Sequence, residues 1–271
     1  MCQVLGVSRS GYYAWVKRVT SPPAGRAAQD RVLLEQIRAI HAEFAFYGAP
    51  RVHRELRAQH CRVGRHRVAR LMRQHGIRAR RGQVKGRPRS APPRRAVHVR
   101  DLVRRDFTAT APNRLWLTDI TLVPTGQGRL RAAVVLDAYN REVISWAVDE
   151  RERPTTALRA LTQAIRLRRP APGCVVHSDR GYQFTAHDWL GTITAAGLSA
   201  SIGERHSALD NAMMESWFAS FKNEALYPYP GLSTFGQARI LLLRYIHLYN
   251  TRRLHSALGY LTPLQYASIN G

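Results

Sequence analysis

The sequence predicts an α/β fold, in which a mixed sheet is flanked by helices and preceded by a small all-α helix-turn-helix domain. Three apolar runs separated by turn-like residues, 115–123, 130–136 and 143–148, indicate an antiparallel meander. A helical pattern over 155–168 then leads into a further strand at 174–177. Short helical patterns between 29 and 75 form a separate group ahead of the strands. A sheet with crossing helices is therefore expected after a helical domain.

The helical domain is predicted from apolar spacing and glycine breaks. A short aromatic helical piece over 1–18 comes first. The next helix, 29–44, has five apolar residues at helical spacing: Val32, Leu33, Ile37, Ile40 and Phe44. Two further helices, 51–59 and 65–75, are joined by a turn that contains Gly64, and Gly76 ends the second. Two short helices across a tight turn predict a helix-turn-helix, although such pairs also occur without DNA binding.

Charge indicates the class of partner. The 271 residues include 42 Lys and Arg but only 18 Asp and Glu, which gives a formal net charge of +24. Such an excess favours a polyanion through phosphate contacts and counterion release. The stretch 78–105 is rich in Arg, Pro and Gly and predicts an extended basic linker, either a strap along DNA or a solvated tether. The candidate DNA-contacting arginines up to this point are Arg65, Arg67, Arg70, Arg73, Arg78, Arg80 and Arg81.

Two further observations concern the compartment. No apolar run approaches the 18 residues that a membrane span requires, and no signal peptide is visible. The three cysteines are far apart and lack the spacing of a zinc site or a disulfide framework. A cytoplasmic protein that does not engage a membrane is therefore expected.

Three acids occupy settings that composition does not explain. Asp119 lies inside a predicted strand, Asp179 follows one, and Glu215 lies on a predicted helix that Asp210 is expected to cap. A carboxylate in a strand interior is costly to bury without a counter-ion. Three converging carboxylates repel one another unless divalent cations are present, and hard oxygen ligands suit Mg²⁺ or Mn²⁺. Two such ions can support phosphoryl transfer between oxygens.

Other polar residues have two interpretations each. Asp137 is a rival ligand, but its place before a hairpin turn favours a turn role. His177 lies on the same strand face as Asp179, where it either assists the site or is a packed, hydrogen-bonded histidine. Asn211 is expected to orient Glu215. Beyond a helix at 235–249, Arg252 and Arg253 either bind DNA or cap the edge of the core.

Three blocks of sequence together resemble the catalytic blocks of DDE transposases and retroviral integrases. They are Trp116-Leu117-Thr118-Asp119-Ile120-Thr121, His177-Ser178-Asp179-Arg180-Gly181-Tyr182-Gln183 and Asp210-Asn211-Ala212-Met213-Met214-Glu215-Ser216, with 35 residues between Asp179 and Glu215. The ending Tyr249-Asn250-Thr251-Arg252-Arg253-Leu254-His255-Ser256-Ala257-Leu258-Gly259-Tyr260 narrows the likeness to the second-reading-frame products of insertion sequences of the IS-three family.

The resemblance implies a ribonuclease-H-like catalytic core with Asp119, Asp179 and Glu215 as ligands of two Mg²⁺ ions, for which Mn²⁺ substitutes. It implies that Lys222 contacts DNA. The implied activity is cleavage at element ends followed by strand transfer, by a copy-out, paste-in route. Implied partners are double-stranded DNA, further copies in a homo-oligomer assembled on DNA, and an upstream-frame DNA-binding protein or fusion, in a bacterial, nucleoid-associated setting. His206 stands where the family has Gly, which leaves the conformation of 203–209 open.

The predicted division of the chain into domains follows from the sequence patterns and from the resemblance together. It comprises an N-terminal segment and linker (1–25), a helix-turn-helix domain (26–78), a basic linker (79–110), a catalytic core (111–225) and a C-terminal helical extension (226–271). Two alternatives to a transposase remain at this point. One is a catalytically silent DNA-binding protein derived from such an enzyme, and the other is a related nuclease that hydrolyses without joining strands.

Overall fold

The computed structural model describes residues 2, 4, 6–20, 25–80, 99–203, 210–229 and 231–270. The chain divides into two compact units, residues 1–80 and 81–271, and each is described by itself. Within the described residues no helix is long and apolar enough to cross a membrane.

The first unit is helical, as predicted. Its helices are α1 (Arg9–Thr20), α2 (Arg26–Glu43), α3 (Ala49–Ala58) and α4 (Arg65–Gln74). Pro50 lies in the first turn of α3, where its missing N–H costs nothing. Gly76 adopts a φ of +65° just after α4, which confirms it as the residue that ends this helix.

The core of the helical unit comes from one face of each of α2, α3 and α4. Ile37, Val52, Leu56 and Val68 are fully buried there. Val32 was expected on the inner face of α2 but is 63% exposed, and Leu34 is buried in its place. The other four residues of the predicted stripe are buried as expected, so the prediction for this helix fails at Val32 alone: Leu33, Ile37, Ile40 and Phe44.

An ion-pair cluster joins α2 to α4. Asp30 accepts from Arg67 Nε at 2.6 Å and from Arg70 Nη2 at 2.6 Å. These bonds lower the pKa of Asp30, Arg70 contributing most. The guanidiniums of Arg67 and Arg70 are thus bound inside the domain, where they hold two helices together.

The second unit is built on a sheet. Its strands are β1 (Leu115–Thr125), β2 (Gly128–Asp137), β3 (Val143–Asp149), β4 (Val175–Ser178) and β5 (Ser199–Ile202). In the described part of the chain the order is β3-β2-β1-β4-β5. The first three strands pair antiparallel, which confirms the meander, whereas β4 pairs parallel with both β1 and β5. The sheet is therefore mixed.

Helices cover both faces of this sheet. On one face lie α5 (Thr155–Arg168) and α6 (His187–Ala195). On the other lie α7 (Ala212–Phe221), which continues as a π-helical turn (Lys222–Leu226), and α8 (Phe235–Thr251). The chain then forms α9 (Pro263–Asn270). Helix α8 packs through Leu242 and Tyr245, among others, and exposes Ile240 and Leu243.

The start of the edge strand β3 is bonded to the side chain of Asn250 at the end of α8. Asn250 Oδ1 accepts from the Val143 N–H at 3.0 Å, and its Nδ2 donates to the Val143 carbonyl at 2.9 Å. The amide of Asn250 therefore mimics a paired residue on a neighbouring strand.

The end of the predicted linker is folded onto the sheet. The Leu102 N–H donates to Ser201 Oγ at 2.9 Å, and Val103 is buried in the core beneath α7 and α8. Residues 99–106 therefore form part of the second unit and not an extended chain. The sequence hides this packing because its partner, Ser201, lies 99 residues away.

Candidate active site

Parallel pairing places two of the candidate acids on adjacent strands. The parallel pairing of β1 with β4 ends at Leu117 opposite His177. Asp119 and Asp179 each lie two residues beyond this pair, Asp179 directly after the end of β4. Neighbouring strands are about 4.8 Å apart, so the two backbones run side by side at this point. This is the carboxyl end of a parallel strand, where open α/β sheets bind ligands.

Asp119 belongs to the face of the sheet that α7 covers. Side chains alternate along a strand, and Leu115 and Leu117 pack in the same cluster as Met214 and Trp217 of α7. Asp119 has the same parity as these leucines and therefore lies on their face.

The helix that carries Glu215 is fixed to β1 at the same level. Asn211 Nδ2 donates to the carbonyl of Thr118 at 3.1 Å, and the Glu215 N–H bonds the Asn211 carbonyl in the first turn of α7 at 3.0 Å. The sequence places four apolar residues of this helix at helical spacing, which predicts a packed stripe, and all four are buried: Met214, Trp217, Phe218 and Phe221. Asn211 thus anchors the turn that carries Glu215.

The start of α7 differs from the predicted cap. The helix begins at Ala212 with Asn211 at the N-cap position, and no side chain caps it. Asp210, the predicted cap, instead accepts from Arg105 Nε at 3.0 Å. A salt bridge to a residue 105 positions earlier has taken the place of the local hydrogen bond.

The carboxylates are held by neighbouring backbone. Asp119 Oδ1 accepts from the Ile120 N–H at 2.7 Å, and Asp179 Oδ1 accepts from the Gly181 N–H at 2.8 Å. Asp119, Asp179 and Glu215 are all half-buried. Over the residues that the structure describes, no three His, Cys, Asp or Glu side chains are grouped so that they could hold a metal ion. The three acids thus lie on β1, directly after β4 and on α7, and their carboxylates do not form a metal-binding group among the described residues. As a donor set, three carboxylates fit a hard divalent cation.

His177 is the centre of a buried hydrogen-bond chain. Its Nε2 lies 2.7 Å from the Asp210 carbonyl and its Nδ1 lies 2.9 Å from Ser201 Oγ. Burial lowers the pKa of His177, so the ring is neutral at pH 7. Since a carbonyl only accepts, Nε2 carries the proton, and Nδ1 accepts from the Ser201 hydroxyl. The structure therefore supports the hydrogen-bonded alternative for His177, which ties β4 and β5 to the residue before α7.

Asp137 has the turn role that sequence favoured. Its carboxylate accepts from the backbone N–H of Asn113 at 2.8 Å and of Tyr139 at 3.0 Å. Burial raises the pKa of this carboxyl. Both oxygens are thus engaged in shaping the end of β2.

The candidate DNA-contacting residues fall into three groups. Exposed arginines are Arg65, Arg73, Arg78, Arg80 and Arg252, and Lys222 is half-buried at the first position of the π-helical turn. Arg67 and Arg70 are ion-paired with Asp30. Arg253 is 5% exposed and forms two bonds to Glu224, which contradicts its assignment to DNA and favours its alternative role in the core. Arg81 and His206 lie outside the described residues.

Arg180, next to Asp179, was not singled out by the sequence reasoning. Its Nε donates to the Gly203 carbonyl at 2.8 Å. Its position in the sequence could have indicated it, because a basic residue directly after an active-site acid can face the same substrate. Ser201 gave no such signal, since one serine in a short strand of small residues has no distinguishing pattern.

Comparison with known protein families matches most of the chain. An integrase core domain matches residues 109–208, a second integrase core domain model matches 196–263, and an HTH-like domain matches 28–85.

Curated relatives match the chain along almost its full length. An uncharacterized 31 kDa protein of insertion element IS600 from Shigella sonnei is 35% identical over 98% of this chain and 97% of its own. Transposase InsF for insertion sequence IS3A from Escherichia coli (strain K12) is 34% identical over 100% of this chain and 93% of its own. The transposase for insertion sequence element IS904 from Lactococcus lactis is 31% identical over 92% and 98%.

Two solved structures are similar to part of this chain. A chain of the simian T-cell lymphotropic virus intasome, solved in complex with PP2A regulatory subunit B56 gamma, has a TM-score of 0.50 at 16% identity over 85% of this chain and 74% of that chain. The HTLV-2 integrase catalytic core domain, solved in complex with magnesium, has a TM-score of 0.46 at 19% identity over 58% of this chain and 98% of that chain. The first likeness supports the ribonuclease-H-like, integrase-type fold, which agrees with the observed strand order.

Proposed function

This chain belongs to the IS3 (IS-three) family of transposases, and we propose that it cleaves DNA at the ends of an insertion sequence and joins the freed strand to another. Water first attacks a phosphodiester and breaks its bond to the 3′-oxygen, which leaves a 3′-hydroxyl and a 5′-phosphate. This 3′-hydroxyl then attacks a phosphodiester of a second strand, where the new bond replaces the bond to that strand's 3′-oxygen, which leaves as a hydroxyl. One site serves both reactions because only the attacking oxygen changes. No covalent bond between protein and DNA forms.

One observation carries this proposal. Asp119 within β1 and Asp179 just after β4 both lie two residues beyond the last parallel pair of these strands, and the Asn211–Thr118 bond fixes the helix of Glu215 to β1 at this level. Asp119, Asp179 and Glu215 would hold Mg²⁺, as two ions with Mn²⁺ as a substitute, which when bound would activate the attacking oxygen and stabilise the leaving one.

Other residues position these acids. The hydrogen bond from His177 fixes Asp210, the residue directly before the N-cap of α7. Burial of the stripe on α7 against β1 and β2 sets the level of Glu215 along the strand. The protein therefore supplies a rigid frame, and Asn211 and His177 act through the acids without touching the reacting atoms.

DNA is held by basic surfaces outside the acids. Arg65 and Arg73 on α4, together with Arg78 and Arg80 after it, are exposed and suited to phosphate contact. Lys222 directly follows α7, about two helical turns after Glu215, and is assigned to DNA near the cut. Two ends of an element must meet for copy-out, paste-in transposition, so a homo-oligomer assembled on DNA, with an upstream-frame DNA-binding partner or fusion, belongs to the same proposal.

The test is incubation of the full chain with labelled DNA that carries candidate element ends, with and without Mg²⁺. Asp119→Asn, Asp179→Asn and Glu215→Gln are each expected to reduce cleavage by at least about 100-fold, because the lost contribution is several kcal/mol. Glu150→Gln removes an acid that is 49% exposed and is the matched control, with unchanged cleavage. Mn²⁺ binding followed by electron paramagnetic resonance gives a second readout, which should weaken in the three acid variants only.

A second candidate is a catalytically silent DNA-binding protein, which the lack of a metal-binding group among the described residues favours. Wild-type protein that retains DNA but shows neither Mn²⁺ binding nor cleavage would support it. Cleaved ends without joined strands would instead identify a nuclease. Cleavage that survives all three acid substitutions would overturn the site assignment.

A further inference from the structure

A cleft of about 550 Å³ adjoins the predicted active site. It is lined by Val99, Arg100, Asp101, Leu102, Arg104 and Arg180. Arg180 directly follows Asp179, so one wall of the cleft continues from the candidate catalytic residue. We propose that this cleft binds a backbone phosphate of the DNA strand beside the cleavage point. The inference rests on the proposed function and assigns it a substrate-binding site.

The charge of the lining fits a phosphodiester. Three arginines and one aspartate give the cleft a net charge of +2. Within the described ranges, no carboxylate pairs with Arg100, Arg104 or Arg180. The single negative group, Asp101, has one oxygen occupied by two backbone donors. Planar guanidinium groups match phosphate oxygens through paired hydrogen bonds. Three of them around one cleft therefore favour a phosphate over an apolar ligand.

The turn that carries Arg104 has a defined shape. Asp101 Oδ1 accepts from the backbone N–H of Val103 and of Arg104, both at 2.9 Å. Arg104 and Arg105 then adopt φ values of +49° and +65°, a conformation that costs residues other than glycine energy. Strain of this kind persists only where surrounding bonds determine it. The turn is therefore a built structure and not a random end of the basic linker.

The same turn is fixed to the strands that lead into the active site. The Leu102 N–H donates to Ser201 Oγ, whose hydroxyl donates to His177. The Ile202 N–H also donates to the Arg100 carbonyl at 3.3 Å. A phosphate in the cleft would thus be held at a fixed place relative to β4 and Asp179, which is what positioning a strand for in-line attack requires.

Arg180 is pre-oriented from the opposite wall. Its Nε is used by the Gly203 carbonyl at 2.8 Å, which leaves the two terminal nitrogens of the guanidinium directed away from that bond. Arg180 is half-buried, whereas Arg100 and Arg104 are exposed. One fixed and two adjustable guanidiniums suit a strand that enters from solvent.

The experiment measures binding of the full chain to a duplex DNA of fixed length over a salt series. Arg100→Gln, Arg104→Gln and the double variant each remove charge without removing a side-chain bond seen in the structure. Arg166→Gln is the matched control, because Arg166 is exposed on α5 in the same unit and does not line the cleft. Loss of one phosphate contact should make the slope of log K against log salt shallower by about 0.9.

The double variant is expected to show this change, and Arg166→Gln is expected to keep the wild-type slope. The two single effects should be non-additive, because both arginines act on one phosphate. Equal slopes for the double variant, Arg166→Gln and wild type overturn the inference while leaving the proposed function intact. Wild-type protein that does not bind DNA overturns both.

Free phosphate is the other source of the same chemistry. In one outcome, inorganic phosphate raises the thermal unfolding midpoint of the wild type but not of the double variant, while the salt slopes of DNA binding are unchanged. This outcome would show a small-anion site and overturn the assignment to DNA. Midpoints of all variants measured without ligand establish that each is folded.

Discussion

The buried ion pair between Arg253 and Glu224 provides the sharpest test of the fold. Arg253 Nε lies 2.7 Å from Glu224 Oε2, and its Nη2 lies 2.6 Å from Oε1. The two side chains are 6% and 9% exposed. Arg253→Met keeps most of the volume but leaves the Glu224 carboxylate buried. Its remaining partner among the described residues is the Tyr245 hydroxyl, which donates to it at 2.9 Å.

The expected cost follows from this geometry. Removing one partner of a buried ion pair destabilises by about 3–5 kcal/mol, because the remaining charge is uncompensated. The retained bond from Tyr245 places the expected loss near the lower end, about 3 kcal/mol. With an m value of about 2 kcal/mol/M, the urea midpoint should fall by about 1.5 M.

The assay is urea unfolding followed by tryptophan fluorescence, since Trp217 contacts Tyr245 and reports on this region. Arg252→Met is the matched control: it removes an adjacent exposed arginine and should cost less than about 1 kcal/mol. Adding Glu224→Gln to Arg253→Met removes the uncompensated charge and should restore part of the loss. An Arg253→Met variant as stable as Arg252→Met would refute a structural role and return Arg253 to the candidates for DNA contact.

Two further substitutions test the Asp30 ion pairs of the helical unit and the contact between Gly203 and Asp210 ahead of α7. The arginines of α4 hold the pKa of Asp30 below its usual value, so its contribution is present above about pH 3.8 and is lost as pH falls through the folded pKa. Asp30→Asn should therefore cost about 1 kcal/mol at pH 7 and progressively less in acid, and a pH-independent difference in urea unfolding would contradict this. A Cβ at Gly203 would lie 2.6 Å from Asp210 Cβ, so Gly203→Ala should destabilise by about 1–3 kcal/mol and reduce cleavage. Gly191→Ala has nothing within 4 Å and should be neutral or stabilising; equal stability of the two alanine variants would contradict the close approach.

Elements with strong local patterns were predictable from sequence. The meander and the helix at Thr155–Arg168 were predicted within a few residues, because β-branched runs and 3.6-residue spacing are set by neighbours in the chain. The apolar stripe of α7 was likewise confirmed. For the candidate site, the three acids could be selected because carboxylates are rare in apolar runs, although their roles stay a proposal.

Long-range pairing explains what the sequence did not reveal. Strand β5 (Ser199–Ile202) has small residues without clear alternation and was not predicted, since it exists through pairing with β4. Arg105 bonds Asp210, and Asp30 bonds two arginines of α4. In each pair the partners are too far apart along the chain for a local sequence pattern to reveal the contact. Arg253 has the charge of a DNA-binding residue, and only the fold shows its carboxylate partner.

Asn250 occupies the backbone donor and acceptor of Val143 on the open side of the sheet. Left unsatisfied, such groups invite a strand from another molecule, the route by which sheets grow into aggregates. Strand addition is therefore blocked at this position while α8 stays in place. Detachment of α8 would unmask the sheet before the rest of the core unfolds, so aggregation of this protein should begin with the loss of its C-terminal helices.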